Sequence, residues 1–292
     1  MKKVLLTAID SFTGKHLHHY LQSNGYDVYG TSLLSNDKQI FTCDITQKND
    51  IQKVLHAVKP DYIIHLAGIS FVGHGTNEDF YRINTIGSIN ILDALLELNM
   101  QVKKILLVSS ATVYGNQNRE ILDESLCPVP ANHYGASKYA MESLAHTYFN
   151  KLPIIITRPF NYTGVGQDPN FLIPKIVSHF KEKKSVIELG NLNVSREFND
   201  VAFLCEAYRR LLESDIEGEC FNIASGRGIA LMDVIEMMQA IAGYNIEIKV
   251  NPAFVRKNEI KSLTGSSKKL FDTVGRIDQK AFSETLKDMF EA

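Results

Sequence analysis

Short apolar bursts set between helix-period stretches leave this chain few folds to adopt. KVLLTA (3–8), DVYGTS (27–32), DYIIHLA (61–67), KKILLVSS (103–110) and LPIIITRP (152–159) read as strands. Between them QKNDIQKVLHAV, the long YRINTIGSINILDALLELN and HYGASKYAMESLAHTYFNK carry apolar residues at helical spacing. Strand and helix alternating in this way predict an α/β fold around a mainly parallel sheet. Strands covered on both faces read as continuous apolar runs, and these do.

After residue 160 the rhythm changes. FNYTGVGQDPN is a Gly/Asn/Pro-rich loop, and beyond it the shorter strands ECFNIAS and IEIKV mix with the helices VAFLCEAYRRLLES and LMDVIEMMQAIAG. No linker separates the halves. Residues 1–160 are therefore expected to form the large sheet domain, and 161–292 a smaller α/β lobe packed on it, with some crossing of the chain between them. A chain of 292 residues can bury a core of that size.

Bulk properties exclude several functions. Net charge is −2 and basic residues occur only in short pairs such as Lys103-Lys104, so nothing calls for a nucleic acid. No apolar run approaches the ~20 residues of a membrane span. The first residues enter a strand directly, without the pattern of a signal peptide. Cys43, Cys127, Cys205 and Cys220 lie far apart without ligand spacing and read as free thiols of a reducing compartment. A cytoplasmic protein without metal is the expectation.

The stretch TAIDSFTG, between the first strand and a helix starting near Phe12, has the layout of a nucleotide-binding turn. Three glycines are usual there, and this chain has Ala8, Ser11 and Gly14. Small residues still let a phosphate approach, and a helix N-terminus offers it N–H groups and a positive dipole. Read alone, the stretch fits a dinucleotide site and an ordinary strand–helix connection equally well. An NAD-selective site places a carboxylate at the tip of the second strand. Here the tip reads Thr31, Ser32, Leu33, so NADP(H) is the expected cofactor, with NAD(H) as the alternative. Asp44, in TCDIT, suits either an adenine contact or a helix cap.

HYGASKYA carries more chemistry. Tyr134 and Lys138 are four apart, which brings their heads together on one helix face. A phenol titrates near ~10, and a neighbouring ammonium should lower that value until the hydroxyl can exchange a proton with an alcohol or carbonyl oxygen. Ser109 and Ser110 in VSSATVYG close the fourth strand, and Ala67 and Gly68 in HLAGIS close the third, where a cofactor can lie against bare backbone. Strand ends and helix thus converge on one crevice.

Taken together, TxxxxFxxG, HLAG, NTIGS (84–88), SSATVYG, YGASK and RPFNYTG stand in the order and spacing of a family. The chain resembles the extended short-chain dehydrogenases/reductases that act on nucleotide sugars, the NAD-dependent epimerase/dehydratase family, over nearly its whole length. That resemblance implies a Rossmann-type, doubly wound sheet for NAD(P) and a C-terminal lobe for a nucleoside-diphosphate sugar. It makes Tyr134 the acid/base, Lys138 its partner and a holder of the nicotinamide ribose, and Ser110 the hydroxyl on the reacting oxygen. It assigns the dinucleotide to Thr7, Ser11, Phe12 and Gly14 of the turn, to Ser32, to Asp44 and Ile45, and to Leu66, Ala67 and Gly68. Thr112 and Asn161 fall to the substrate, and relatives suggest a homodimer through the helices 77–99 and 133–150.

Within the family, dehydratases keep an acidic residue just after the catalytic Ser/Thr, where this chain has Ala111 and Thr112. A non-catalytic NADP-binding regulator would tend to lose the Tyr/Lys pair, which is present. GNLNVSREFNDV (190–201) and RKNEIKSLTGSSKKL (256–270) look like the matching segments of GDP-4-keto-6-deoxy-D-mannose reductases. By that likeness Arg196 and Arg256 clamp the diphosphate and Glu259 lies near the nucleotide's ribose. The reaction implied is reduction of a nucleoside-diphosphate 4-keto-6-deoxyhexose, GDP-linked before dTDP-linked, for surface polysaccharide synthesis. A 4-epimerase is the alternative. Phe203 and His133 depart from the reductase pattern, and His133 suits a sugar contact, a helix cap or solvent.

Overall fold

The computed structural model describes residues 2–34, 37–70, 76–255 and 260–292. Along the chain run β1 (Lys2–Thr7), α1 (Phe12–Ser23), β2 (Tyr26–Ser32), β3 (Ile40–Thr42), α2 (Lys48–Val58) and β4 (Tyr62–His65). A π-helical segment (Phe80–Gly87) passes into α3 (Ser88–Glu97), followed by β5 (Lys104–Val108), α4 (His133–Ala145) and β6 (Ile154–Pro159). One parallel sheet holds these strands in the order β3, β2, β1, β4, β5, β6, with the later strand Glu219–Ile223 outside β6. The chain therefore winds outward from β1 to one side and from β4 to the other. The order reverses between β1 and β4, and at such a switch point the C-terminal ends of the strands are where ligands bind in sheets of this kind.

The continuous apolar runs have the expected cause. Val4, Leu6, Ile64, Leu106 and Ile155 face one layer with Leu17 and Leu21 of α1 and with the helix Val201–Glu213. Their neighbours Leu5, Ile63, Ile105, Leu107, Ile154 and Ile156 face the other, against α2, α3 and α4. Alternate residues go to opposite faces and both faces are covered, so the middle of each strand is apolar and polar residues such as Thr7, His65 and Arg158 stand toward the strand ends.

Residues beyond 160 also build this sheet, through Glu219–Ile223 and the helix before it. The remainder forms a second core around Ile173, Ile176, Phe180, Val234, Met238 and Leu286. There the strand Ser195–Glu197 lies between Gly228–Ala230 and Ser262–Leu263. The helix read as continuous through YRINTIGSINILD starts instead as a π-helix, a wider turn often found at functional sites.

Candidate active site

At the end of β1 the backbone turns through Ala8, whose φ of 53° is in the left-handed region. This is where a first glycine would stand, and an alanine holds it at a cost of about 1–2 kcal/mol. The turn is pinned to β2: Ile9 N–H donates to Thr31 O at 3.0 Å and Ala8 N–H to Thr31 Oγ1 at 3.3 Å. Ser11 caps α1, accepting from Gly14 N–H at 3.1 Å and donating to Ala8 O at 2.7 Å. Its hydroxyl thus turns back into the loop. Only Gly14 has no substitute, because a Cβ there would lie 2.3 Å from Ala8 O. Phe12 stacks on Tyr162, with centroids 6.2 Å apart. The corner keeps the form of a dinucleotide turn, with the α1 dipole suited to a pyrophosphate.

Ser32, at the tip of β2, donates to Asp10 Oδ2 at 2.6 Å. The strand tip itself lacks a carboxylate, but the turn supplies one. Asp44 Oδ1 accepts from both the N–H and the hydroxyl of Thr46, at 2.9 and 2.8 Å, which closes a local turn ahead of α2 and does not cap that helix, whose N-cap is Gln47. Ile45 is buried, and a Cβ on Gly87 would come within 2.7 Å of its Cδ1.

Thr7, expected at the cofactor, is occupied within the protein. Its Oγ1 accepts from Leu66 N–H and Ala67 N–H, both at 2.9 Å, so its own hydrogen goes to His65 Nδ1 at 2.9 Å. His65 then carries its proton on Nε2 and donates to Ser88 Oγ at 2.8 Å, and Ser88 donates on to Asn84 O at 2.7 Å. Burial, with the charge of Lys138, drives the imidazole down to about 3, so it is neutral. Asn84 continues the network. It bonds both backbone groups of Ile69, at 2.8 and 3.1 Å, and donates to Ser137 Oγ at 3.0 Å.

That network holds α4. Asn132 caps the helix through Gly135 N–H at 2.8 Å, and Ser137 Oγ donates to Tyr134 O at 2.8 Å. A Cβ on Gly135 would lie 2.8 Å from Thr112 O, so the glycine lets α4 close on the segment after β5. Ser110 and Tyr134 come near each other there, close enough for the serine hydroxyl to pull the phenol down. Ser110 Oγ accepts from Thr112 N–H at 3.2 Å and Thr112 Oγ1 at 2.9 Å, which leaves its single hydrogen to be donated elsewhere. Lys138, buried, donates to Val108 O at 2.8 Å, and a Cβ on Gly68 would lie 3.3 Å from its Nζ.

The expected lowering of Tyr134 by Lys138 is corrected. Burial holds the phenol above its ordinary value, and Ser110 pulls it part-way back. Lys138 is itself drawn down to about 8 by burial, against the opposing pull of Glu142. Tyr134 as a whole is half-buried, but ionising its desolvated phenol would leave an anion poorly solvated, and that outweighs an ammonium directed at Val108 O.

With this geometry, similarity to known proteins becomes informative. Residues 4–224 match the family described as NAD dependent epimerase/dehydratase family. The chain belongs to that family. Its members are NAD(P)-dependent enzymes that modify nucleotide sugars. A GDP-6-deoxy-D-talose 4-dehydrogenase of Aggregatibacter actinomycetemcomitans is 38% identical, over 94% of this chain and 91% of its own length. A GDP-6-deoxy-D-mannose reductase of Pseudomonas aeruginosa is 30% identical over 98% and 95%. Among solved structures, RMD from Pseudomonas aeruginosa complexed with NADPH superposes with a TM-score of 0.87 at 28% identity, covering 100% of this chain and 98% of that one.

Of the residues that the resemblance gives to the substrate, Thr112 adjoins Ser110. Asn161 is exposed just past β6, its carbonyl taking Asn199 N–H at 2.9 Å. Arg196 lies in the strand Ser195–Glu197, with Nη1 on Ser195 O at 2.9 Å. Arg256 and Glu259 lie outside the described residues. His133 is exposed and meets Tyr81, Nδ1 to hydroxyl, at 3.2 Å. Local sequence pattern does not single out Asp10, His65 or Asn84, which the fold brings to this region. HLAG and NTIGS contain the latter two, but their partners are set only by the sheet. Among the described residues no group of three or more His, Cys, Asp or Glu is placed to hold a metal, and no helix is long and apolar enough to cross a membrane.

Proposed function

We propose that the chain is a nucleotide-sugar 4-ketoreductase, an NAD(P)H-dependent oxidoreductase at carbon 4 of a GDP-linked 6-deoxyhexose. The observation that carries it is the Ser110–Tyr134 hydroxyl pair beside buried Lys138, with Ala111 and Thr112 where a dehydratase needs an acid. Two relatives named for GDP-6-deoxyhexoses support the choice of sugar. The reduced dinucleotide, when bound, supplies the hydride to the carbonyl carbon. Tyr134 gives its proton to the oxygen, and burial keeps it protonated at neutral pH, which suits reduction. Ser110 directs a second O–H at the same oxygen and stabilises the charge forming there. Lys138 stabilises the phenolate left behind. Arg196, in the smaller lobe, lies toward the diphosphate end in this reading.

The test is oxidation of NADH and NADPH by GDP- and dTDP-4-keto-6-deoxyhexoses with wild type and Tyr134→Phe. Wild type should consume the reductant with the GDP sugar. The variant should lose roughly 10²–10⁴-fold in turnover while binding the dinucleotide nearly as before. Wild-type turnover in Tyr134→Phe would end the assignment. Silence with both sugars, together with interconversion of a sugar nucleotide without added reductant, would select 4-epimerisation instead.

A further inference from the structure

We propose that Asp10 sets the dinucleotide preference of this site, and that the preference is for NAD(H). The inference rests on the dinucleotide reading of the β1–α1 corner and not on the identity of the sugar. The adenosine ribose of a dinucleotide seated on such a corner lies over the tip of the second strand, where an acidic side chain selects its free 2′-hydroxyl. In this chain the tip residue is Ser32, whose side chain cannot play that part alone. Its hydroxyl is oriented from two sides: Leu34 N–H donates to Ser32 Oγ at 3.0 Å, and Ser32 Oγ donates to Asp10 Oδ2 at 2.6 Å. The carboxylate therefore reaches the strand tip from a residue 22 positions earlier in the chain.

Asp10 is exposed, and among the described residues its Oδ1 takes no hydrogen bond, leaving it an acceptor for a ribose hydroxyl. A 2′-phosphate in the same place would bring a dianion against this carboxylate, a like-charge contact that strongly disfavours the wrong partner. The turn TAIDSFTG contains no cation, and Lys15, which follows it directly, and Lys38, the nearest in sequence to the strand tip, are exposed. Bonding to Ser32 also stops Asp10 from swinging away to make room. The preference for NADP(H) expected from the strand tip is reversed, because the deciding charge comes from the turn.

Calorimetric titration of the full chain with NADH and NADPH tests this, using wild type, Asp10→Ser and the isosteric Asp10→Asn. Wild type should bind NADH at least about tenfold more tightly than NADPH, and the ratio should shrink as salt rises and screens the repulsion. Both variants should shift the NADPH-to-NADH affinity ratio toward NADPH by about tenfold or more, and Asp10→Ser, which removes the acceptor for the ribose hydroxyl, should also weaken NADH. Equal or tighter NADPH binding by wild type, or an unchanged ratio in the variants, overturns the role of Asp10 and leaves the reductase reading standing. Failure to bind either dinucleotide removes both.

Discussion

Buried His65 ties together the elements around the cleft through its two ring nitrogens. Thr7 on one side and Ser88 on the other fix its tautomer, and through them β1, β4 and α3 share a single hydrogen-bond chain. The arrangement requires a neutral ring. In the unfolded chain the imidazole titrates near its ordinary 6.5, while in the fold it stays neutral down to about 3. Between those values the unfolded state binds more protons, so stability falls as pH drops from 6.5 toward 3, at up to about 1.4 kcal/mol per pH unit from this group. Urea unfolding at pH 7, 5.5 and 4.5 should show that slope, and His65→Asn should lose it while being less stable at pH 7. A slope that persists undiminished in the variant would assign it to other groups.

At the scale of the element, α4 is anchored by a charge pair. Glu142 accepts from Arg158 Nε at 3.0 Å and Nη2 at 2.6 Å, and from Ser109 Oγ, with both charged side chains almost wholly buried. Arg158 Nη1 donates to Tyr114 Oη at 3.0 Å, and Tyr114 donates to Asn222 Oδ1 at 2.8 Å. The helix that carries Tyr134 and Lys138 is thus tied to β5, to β6 and to the outermost strand. Against an apolar alternative such a pair has little net value, yet losing one partner strands the other charge in a dry interior. Glu142→Ala should lower stability by about 3–5 kcal/mol in urea titration, and Arg158→Met added to it should recover part of the loss. A loss below about 1 kcal/mol would mean that water reaches the pair.

Over the whole molecule, one carboxylate joins the smaller lobe to the sheet. Glu197 is fully buried and accepts from the N–H groups of Ser225, Gly226 (3.2 Å) and Gly265 (3.0 Å) and from Asn199 Nδ2 (3.2 Å). Ser225 follows the outermost strand of the large sheet, whereas Glu197 adjoins Arg196. Burial pushes its carboxyl up and these hydrogen bonds draw it back. Glu197→Gln puts an amide where only acceptors fit, leaving buried donors unmatched at about 1–3 kcal/mol each. We expect a lower melting temperature and a raised KM for the sugar nucleotide, with dinucleotide affinity unchanged. Loss of dinucleotide affinity to the same degree would show that the clasp also supports the β1–α1 corner.

What the sequence by itself determined is what backbone geometry repeats locally. Strands and helices impose periods of two and 3.6, so KILLV and its counterparts declare a sheet covered on both faces, and a spacing of four brings Tyr134 and Lys138 to one side of α4. What only the tertiary structure decided is which distant groups meet. Register sets Leu6 beside Gly30 and Thr7 beside His65, and from such pairings come the Asp10–Ser32 bond, the neutral imidazole and the Glu197 clasp. Lys138 is the clearest case. Its position on the helix follows from the spacing, but its bond to Val108 O and the burial that raises Tyr134 depend on how helix and strand pack, which no local period encodes.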